Sequence, residues 1–253
     1  SDLGLIASLG IGTVEVKRRL RVGFFSTGDE LRSIGENLDD GCVYDSNRYT
    51  LFGMLSRLGV ELHDFGVVRD QPDAMRAAFS KAASICDAVI TSGGVSVGEA
   101  DYTKQIMREL GDVSFWKIAM RPGRPMAFGS IQGENHQAVL FGLPGNPVAV
   151  MVTFYQFVRN ALLSMSGATD VAPLVMQAKT VEAIRKRPGR TEFQRGVLSI
   201  DATGTRTVRI TGAQGSGVLR SMSEADCFIV LEHDQDQIKA GDTVGVVLFE
   251  GLV

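Results

Sequence analysis

Cysteine and histidine are scarce in this 253-residue chain, with three residues of each type. Cys42, Cys86 and Cys227 are odd in number and form no CxxC pair, which is typical of reduced thiols in a reducing compartment. The histidines are equally scattered and outline no zinc site. The scarcity of these residues therefore favours a cytoplasmic location and a fold without disulfide or zinc cross-links.

Long apolar runs and a large excess of charge are also missing. No apolar stretch approaches the length that crosses a bilayer, and the net charge of −3 gives no electrostatic reason to expect nucleic acid as a partner. Hydrophobic residues make up 44% of the chain, enough for a full core. The opening residues Ser1–Leu9 carry neither an initiator Met nor a signal sequence, so the sequence reads as part of a longer protein.

Patterns typical of strands and helices alternate between residues 21 and 165. The predicted strands are Arg21–Ser26, Val60–Val67, Asp87–Thr91, Ser114–Met120, Pro125–Ser130 and Ala138–Leu143. The predicted helices are Asn47–Leu58, Pro72–Ser84, Thr103–Leu110 and Val148–Met165. This alternation predicts an α/β fold, a mostly parallel sheet in a three-layer α/β sandwich with helices on both faces.

The two ends of the chain break this pattern. Residues 1–20 predict a short apolar helix and a strand at Thr13–Val16, and we interpret them as the remnant of a preceding N-terminal domain. After residue 168, short β-like runs separated by turns predict a small β-rich domain. The predicted division is therefore 1–20, an α/β domain over 21–168 and a β-rich domain over 169–253.

Three turns at the carboxyl ends of predicted strands have unusual polar content. They are Ser26–Leu31, Thr91–Tyr102 and Gly142–Pro147. Ligands of open α/β sheets bind at this edge. In Ser92-Gly93-Gly94, two glycines allow the backbone to approach an anion closely and to present N–H groups beside a hydroxyl. We favour a phosphate or pyrophosphate cradle here over an ordinary strand-to-helix turn.

Acidic residues follow three of the predicted strands. Glu30 and Asp70 lie just past strand ends, and Asp101 precedes the helix Thr103–Leu110. Each is also typical of a helix cap or a solvated loop charge. Three carboxylates on one strand-end face would require a cation or basic partners, so they are candidate ligands of a divalent cation. Whether they converge is open at this level.

Lys117, Arg121 and Arg124 are the candidate basic partners. Lys117 is predicted inside a strand, where an unpaired ammonium would be costly. The rigid Pro122-Gly123 turn would hold the two guanidinium groups at a fixed separation for bidentate contacts to an oxyanion. The alternative is a solvated basic loop.

Three further polar segments have simpler interpretations. Pro144–Pro147 precedes a helix, so it either presents N–H groups to an anion or simply starts the helix. Arg185–Arg190 is interpreted as a solvated loop, and Gly212–Gly217 as a flexible turn.

Four motifs together resemble the molybdopterin molybdenumtransferase family. In the family's order, they are Phe25–Leu31 (FSTGDEL), Ser92–Tyr102 (SGGVSVGEADY), Arg121–Pro125 (RPGRP) and Leu143–Pro147 (LPGNP). Phe193–Gly196 and Cys227–Leu231 also resemble that family's C-terminal domain, so the resemblance covers nearly the whole chain. It implies molybdenum insertion into adenylylated molybdopterin with release of AMP, with molybdate as substrate and a divalent cation such as Mg²⁺ assisting.

Carried over position by position, the resemblance implies a role for each matching residue. Glu30, Asp70 and Asp101 would place the cation at the phosphoanhydride, and Lys117, Arg121 and Arg124 would gather molybdate. The residues with implied catalytic roles are Asp101, Asp70, Glu30, Lys117 and Arg121. The residues with implied substrate-binding roles are Thr27, Gly28, Asp29, Ser92, Gly93, Gly94, Val95, Ser96, Arg124, Pro144, Gly145, Asn146 and Pro147.

The chain departs from the family in two respects. The family often has Lys where Arg121 and Arg124 stand, and arginine keeps the charge but changes the hydrogen-bond geometry. The family's N-terminal domains, which supply site residues from the partner subunit of a dimer, are represented here only by residues 1–20.

The resemblance also implies partners and leaves other functions open. It implies a homodimer and names the molybdopterin adenylyltransferase as a second candidate partner, with no nucleic acid and no membrane. Three alternatives stand beside the transferase: a molybdopterin adenylyltransferase, a non-catalytic molybdopterin-binding scaffold, and a sugar- or nucleotide-binding domain of similar topology.

Overall fold

The computed structural model describes residues 1–95 and 101–249, and it describes Asp101 by its backbone alone. The helices are α1 (Asp2–Ser8), α2 (Ser46–Arg57), α3 (Pro72–Ile85), α4 (Asp101–Leu110), α5 (Pro147–Ser166) and α6 (Arg220–Ser223). The strands are β1 (Arg21–Thr27), β2 (Leu31–Arg32), β3 (Val43–Tyr44), β4 (Glu61–Val68), β5 (Ala88–Ser92), β6 (Gly111–Lys117), β7 (Met120–Arg121), β8 (Pro125–Gln132), β9 (Gln137–Leu143), β10 (Met176–Thr180), β11 (Thr191–Ile200), β12 (Arg206–Ile210), β13 (Cys227–Leu231) and β14 (Thr243–Leu248).

The first sheet has six strands in the order β4-β1-β5-β9-β8-β6. Strands β4, β1, β5 and β9 pair in parallel, while β8 runs antiparallel to both β9 and β6. Five of the six strands therefore point the same way, and the mostly parallel α/β fold is confirmed. A central strand of such a sheet is apolar on both faces because helices cover both.

Helices cover the two faces of this sheet, as alternate residues of the strands show. Phe24 of β1 packs into a core with Leu51 of α2 and Val152 of α5. The next residue, Phe25, packs into a separate core with Phe79 of α3 and other side chains of α3 and α4. Because the side chains of a strand alternate between faces, two cores on β1 mean that the sheet is the middle layer of three.

The second sheet also has six strands, in the order β12-β10-β14-β13-β11-β7. Strand β7 comes from the first part of the chain, and Arg121 pairs with Glu192 of β11. The predicted single strand Ser114–Met120 is therefore wrong: it splits into β6 in the first sheet and β7 in the second. The split lies at a turn in which Ile118 N–H donates to the Arg124 carbonyl oxygen at 2.8 Å.

Helix α5 joins the two sheets. Tyr155 on this helix contacts Phe228 of β13 with a ring-centroid distance of 5.9 Å, and Phe228 contacts Phe249 at 4.6 Å. A π-helical turn at Phe154–Val158 interrupts the helix at this contact. Side chains of α5, the first sheet and the second sheet thus share one core.

Helix α5 also corrects an expectation from the sequence. Pro147–Ser166 is long and apolar enough to cross a membrane by length and composition, although no stretch was expected to reach that length. In this structure 56% of an apolar stretch of 18 residues within the helix is buried, as in a helix packed between two sheets.

The predicted strand at Thr13–Val16 is wrong. Val14 and Val16 are 51% and 81% exposed, and the segment has no regular secondary structure. A strand needs a hydrogen-bonded neighbour, and none of the described residues pairs with this segment. The short strands β2 and β3 and the strand β10 were not predicted, because their sequences alternate too weakly to stand out.

Asp87 ties the first residues of the chain to the first sheet. Its carboxylate accepts two hydrogen bonds of 2.6 Å from the Arg18 guanidinium and one of 2.8 Å from Arg21 N–H. The Arg18 hydrogen bonds, opposed by burial and reinforced by Arg21, lower the pKa of Asp87 to about 2. A carboxylate with a lowered pKa stabilises the folded state above its unfolded pKa of about 4.

We expect Asp87→Asn to lower the unfolding free energy by about 1–2 kcal/mol at pH 7, since it removes the charge from this network. The difference from the parent should shrink as the pH falls from about 4 to about 2, where the parent's carboxylate becomes protonated. Urea unfolding at several pH values measures both effects. The exposed Asp170→Asn is the control, and an equal loss there would contradict the assignment.

Candidate active site

The three polar turns meet at one edge of the first sheet. Strands β4, β1, β5 and β9 are adjacent and parallel, so their carboxyl ends lie side by side. In register, Ser26 lies beside Ser92, and Ser92 lies beside Leu143. The described parts of the turns that follow these residues therefore converge where open α/β sheets bind ligands.

A cleft of about 360 Å³ opens at this edge, and we call it the strand-end cleft. Its lining residues are Thr27, Gly28, Glu30, Leu31, Asn47, Asp70, Ser92, Gly93, Gly94, Gly145 and Asn146. Nine of these were predicted from the sequence, and Leu31 and Asn47 were not. No motif singled out Asn47, although a polar residue on the buried side of an amphipathic helix start is a usable signal.

Gly93 and Gly94 form one wall of the strand-end cleft, with φ angles of 92° and 68°. A Cβ on Gly93 would lie 2.6 Å from the Thr27 carbonyl oxygen, and one on Gly94 would lie 2.7 Å from Thr103 Cγ2. Both positions therefore need glycine for the left-handed backbone and for space. This is how the turn after β5 approaches the turn after β1.

A buried chain of hydrogen bonds runs beneath this wall. Ser26 Oγ donates to Asp45 Oδ1 at 3.0 Å and lies 2.8 Å from Ser92 Oγ. Asp45 is the N-cap of α2 and also accepts from Arg48 N–H at 3.1 Å. Because the single hydroxyl proton of Ser26 goes to the carboxylate, Ser92 donates to Ser26. The Ser92 hydroxyl therefore has only acceptor capacity left.

Two of the three predicted acids line the strand-end cleft. The Glu30 carboxylate lies over Gly28, since a Cβ there would come within 2.7 Å of Glu30 Oε2. Asp70 N–H donates to Asp29 Oδ1 at 3.2 Å, which ties the turns after β4 and β1 together. The side chain of Asp101 lies outside the described part of the chain. Among described side chains, no three His, Cys, Asp or Glu residues cluster as metal ligands.

A second cleft, of about 260 Å³, adjoins the first and shares Asn146 with it. We call it the basic cleft, because Arg121, Arg124 and Arg190 line it. Its other lining residues are Met120, Pro122, Gly123, Pro125, Pro144, Asn146, Ala149, Gln214 and Ser216. None of these described residues is acidic, so an oxyanion would meet a surface of guanidinium donors.

A third cavity, of about 400 Å³, continues from the basic cleft past Arg121, and we call it the arginine pocket. Its lining residues are Arg121, Pro122, Arg185, Lys186, Arg187, Glu192, Phe193, Gln194, Arg195, Ile210 and Gln214. Arg195 is 1% exposed and donates to Ser221 Oγ and to the Gly215 carbonyl oxygen. Burial, followed by the charge of Arg121, lowers the pKa of Arg195 to about 10, so a bound anion would stabilise its charged form.

Two segments interpreted as a solvated loop and a flexible turn are ordered parts of these cavities. Lys186, within Arg185–Arg190, is buried and donates to main-chain carbonyl oxygens, including that of His233 at 3.3 Å. In the Gly212–Gly217 segment, Gln214 accepts from Arg195 N–H at 2.8 Å. Most residues of the two segments are exposed, as the interpretations require, but Lys186 and Gln214 are exceptions because their hydrogen-bond partners lie far along the chain.

Several predicted site residues lie away from the clefts. Lys117 is exposed at the end of edge strand β6, so its ammonium is solvated and not buried as expected. Val95 is buried in the core on the α3 side of the sheet. Asp29 is exposed, and Pro147 is the first residue of α5. Ser96 lies outside the described residues.

Comparison with protein families matches both parts of the chain. The family described as "Probable molybdopterin binding domain" matches residues 23–164, and "MoeA C-terminal region (domain IV)" matches residues 177–249. A molybdopterin molybdenumtransferase of Haemophilus influenzae is 43% identical over 253 residues, covering 100% of this chain and 62% of that protein. One of Nostoc sp. is 33% identical over 249 residues, covering 98% and 57%.

Solved structures agree with these matches. The molybdopterin biosynthesis MoeA protein of Pyrococcus horikosii superposes with a TM-score of 0.78 at 30% identity, covering 97% of this chain and 58% of that one. A molybdenum cofactor biosynthesis protein of Pyrococcus furiosus superposes with a TM-score of 0.71 at 28% identity, covering 98% and 74%. The chain spans about three fifths of the length of the curated relatives it matches. By its sequence, its fold and the order of its two matched regions, the chain belongs to the molybdopterin molybdenumtransferase family.

Proposed function

We propose that this chain carries the substrate-binding and catalytic part of a molybdopterin molybdenumtransferase. In this reaction molybdenum is inserted into adenylylated molybdopterin, and AMP is released. The proposal rests on one observation: two clefts whose lining residues carry opposite charges adjoin each other. The strand-end cleft contains Glu30 and Asp70, whereas the basic cleft contains three arginines, and Asn146 lies at the border of both.

The basic cleft suits molybdate, which enters the reaction as a substrate. Molybdate is a tetrahedral dianion, and planar guanidinium groups bind such oxyanions with paired hydrogen bonds. Arg121 and Arg124 flank the buried Pro122-Gly123 turn, and Arg190 reaches the same cleft from the second sheet. The pairing of β7 with β11 fixes the backbone of Arg121 relative to that sheet.

The strand-end cleft suits the phosphoanhydride together with a divalent cation. Carboxylate oxygens such as those of Glu30 and Asp70 are the ligands that Mg²⁺ prefers, with Asp101 as the proposed third acid. Bound there, the cation would neutralise charge on the phosphoanhydride. The backbone at Gly93 and Gly94 allows the phosphates to lie close to the cleft wall.

In this proposal the chain's own residues orient the reacting groups. Arg121 and Arg124 hold the molybdate oxygens at the border of the two clefts, where one of these oxygens would bond to the adenylyl phosphorus as the P–O bond to the molybdopterin phosphate breaks. The positive charge of the two arginines stabilises the negative charge that this phosphate takes up. The molybdopterin sulfurs would then bond to molybdenum as the bond from molybdenum to the AMP oxygen breaks, which releases AMP. Lys117, at the exposed end of β6, would add only long-range attraction for the anion. We further propose that the chain divides into domains at 21–168 and 169–253, after the segment 1–20, and acts in a homodimer.

The test is release of AMP from adenylylated molybdopterin, measured with Mg²⁺ in the presence and absence of molybdate. We expect release to require molybdate and to fall at least roughly hundredfold in Asp101→Asn, which removes a charge from the proposed cation site. The matched control is Asp112→Asn, at an exposed position on β6.

A full-length relative such as the Haemophilus influenzae enzyme is the positive control for the assay. AMP release that proceeds equally without molybdate, or equally in Asp101→Asn, would overturn the proposal. AMP transfer from ATP to molybdopterin would instead identify an adenylyltransferase.

A further inference from the structure

Asn47 is a buried polar residue whose hydrogen bonding is incomplete. It is the second residue of α2, is 7% exposed and lines the strand-end cleft. Its Nδ2 donates to the Gly145 carbonyl oxygen at 2.7 Å. Its Oδ1 is buried and has no hydrogen-bond partner among the described residues.

The contact to Gly145 fixes the orientation of this amide. A carbonyl oxygen only accepts hydrogen bonds, so the nitrogen of Asn47 has to face Gly145 and the oxygen has to face away. Rotating the amide would leave Nδ2 without that partner and would oppose two carbonyl oxygens. The unpartnered oxygen is therefore a consequence of the fold.

Leaving an amide oxygen buried and unpaired destabilises a protein, so such atoms are rare and need an explanation. The other side-chain atoms in this state among the described residues are Arg21 Nε, Asp45 Oδ2, Arg48 Nε and Thr91 Oγ1. Asp45 Oδ2 and Arg48 Nε face each other at 3.5 Å, and Arg21 and Thr91 line none of the three cavities. Asn47 alone among them lies in the wall of a cleft.

Among the described residues that line the strand-end cleft, no hydroxyl group is free to donate to Asn47. The Thr27 hydroxyl donates to the Ser92 carbonyl oxygen at 3.4 Å, and the Ser92 hydroxyl donates to Ser26. The acids Glu30 and Asp70 only accept when ionised. The described residues therefore do not supply the missing donor, which leaves solvent or a bound ligand to supply it.

We propose that Asn47 accepts a hydrogen bond from an N–H or O–H group of the bound ligand and so selects the orientation of that ligand. The inference rests on the proposed function. Phosphate oxygens are acceptors at neutral pH and would be repelled by Asn47 Oδ1. Adenylylated molybdopterin offers suitable donors in three places, the N–H edge of the pterin ring, the ribose hydroxyls and the adenine amino group.

A role for Asn47 in binding the cation is less consistent with the geometry. Glu30 lies over Gly28, in the turn after β1, whereas Asn47 is anchored to Gly145 in the turn after β9. Strand β5 separates β1 from β9 in the sheet. The residue that anchors the amide and the turn that carries Glu30 therefore follow strands that are not neighbours.

The test pairs a change in the protein with a change in the ligand. Binding of 6-carboxypterin and of AMP to the whole chain is measured by calorimetry. The blocked analogues are 6-carboxypterin methylated at N3 and dimethylated on its 2-amino group, 2′,3′-dideoxy-AMP, and AMP dimethylated on its adenine amino group. We expect Asn47→Ala to weaken one parent ligand roughly tenfold to hundredfold, and to leave the affinity for its blocked analogue unchanged. We call this difference in effect between a parent ligand and its blocked analogue the coupling. The pair of ligands that shows it identifies the source of the donor.

A second variant separates the acceptor from the contact to Gly145. Asn47→Asp keeps an acceptor oxygen but loses the Nδ2 donor. This variant should therefore still bind the parent ligand more tightly than the blocked analogue, whereas Asn47→Ala should not. Urea unfolding checks that both variants fold.

The inference is overturned if both variants bind all five ligands as the parent does, or if both lose the difference between a parent ligand and its blocked analogue equally. It is also overturned if Asn47→Ala changes only the affinity for Mg²⁺, titrated by calorimetry in the same way. If the parent binds neither 6-carboxypterin nor AMP, the proposed function fails as well.

Discussion

Arg124→Gln should weaken molybdate binding roughly tenfold to hundredfold while leaving the fold intact. The side chain of Arg124 is exposed in the basic cleft, and the contact that Arg124 makes to the chain is through its carbonyl oxygen, which accepts from Ile118 N–H. Glutamine preserves that main-chain contact and much of the side-chain length, but it removes the charge and the guanidinium fork. Equilibrium dialysis with molybdate at fixed ionic strength measures the change.

Arg206→Gln is the matched control for this experiment. Arg206 is exposed on β12 and lines none of the three cavities, so its loss changes the net charge by the same amount. If the two variants bind molybdate equally weakly, the attraction is a property of the whole surface and the basic cleft is not the molybdate site. Higher salt should weaken binding in the parent more than in Arg124→Gln, because fewer charges act in the variant.

Gly93→Ala should lower the unfolding free energy by about 2–4 kcal/mol and abolish ligand binding in the strand-end cleft. The φ angle of 92° strains any residue with a Cβ, and the added carbon would lie 2.6 Å from the Thr27 carbonyl oxygen. Relief of that contact has to move the turn after β5 away from the turn after β1. Both turns line the cleft, so the change reaches the ligand directly. Urea unfolding and calorimetric titration with AMP measure the two effects.

Gly241→Ala separates conformational strain from the contact. Gly241 has a φ angle of 88° and no atom within 4 Å of an added Cβ, so its replacement should cost only the strain, about 1–2 kcal/mol, and leave binding unchanged. Equal losses of stability at the two positions would show that the Thr27 contact contributes nothing. Unchanged AMP binding in Gly93→Ala would show that the glycine turn is not part of the ligand site.

The second sheet and the loops beside it contribute residues to the proposed site. Arg121 belongs to β7, which pairs with β11, and its side chain lines both the basic cleft and the arginine pocket. Arg190 and Gln214 reach the basic cleft from the second part of the chain. A change in the packing of α5 against β13 would therefore move the arginines relative to the strand-end cleft.

Much of the α/β fold was predictable, because its signals are local. Helix α2 begins at Asp45, whose side chain caps it, and the apolar spacing of Leu51, Met54 and Leu55 matches one helix face. The split of Ser114–Met120 between two sheets was not predictable. A strand pattern shows that a segment is extended, but it does not show which neighbour the segment pairs with.

The candidate site was predictable in part, for the same reason. Glycine turns after strands converge whenever the strands are parallel neighbours, so Gly28, Gly93 and Gly145 could be placed at one edge from the sequence. Arg195 and Lys186 could not be placed, since their burial depends on carbonyl oxygens supplied from distant segments. The prediction for Lys117 was wrong for the opposite reason. Its side chain was expected to be buried, but its strand lies at an edge of the sheet and the side chain is exposed.

The sequence by itself determined most of the strands and helices, the glycine turns and the family, because propensity, periodicity and motif depend on residues close together in the chain. The tertiary structure decided which side chains share a cavity and which polar atoms keep a partner. Asn47 illustrates the difference: its amide donates to a residue that lies 98 positions away, and that contact is what turns its oxygen away from Gly145. Such pairings depend on the relative positions of whole elements, which no local pattern encodes.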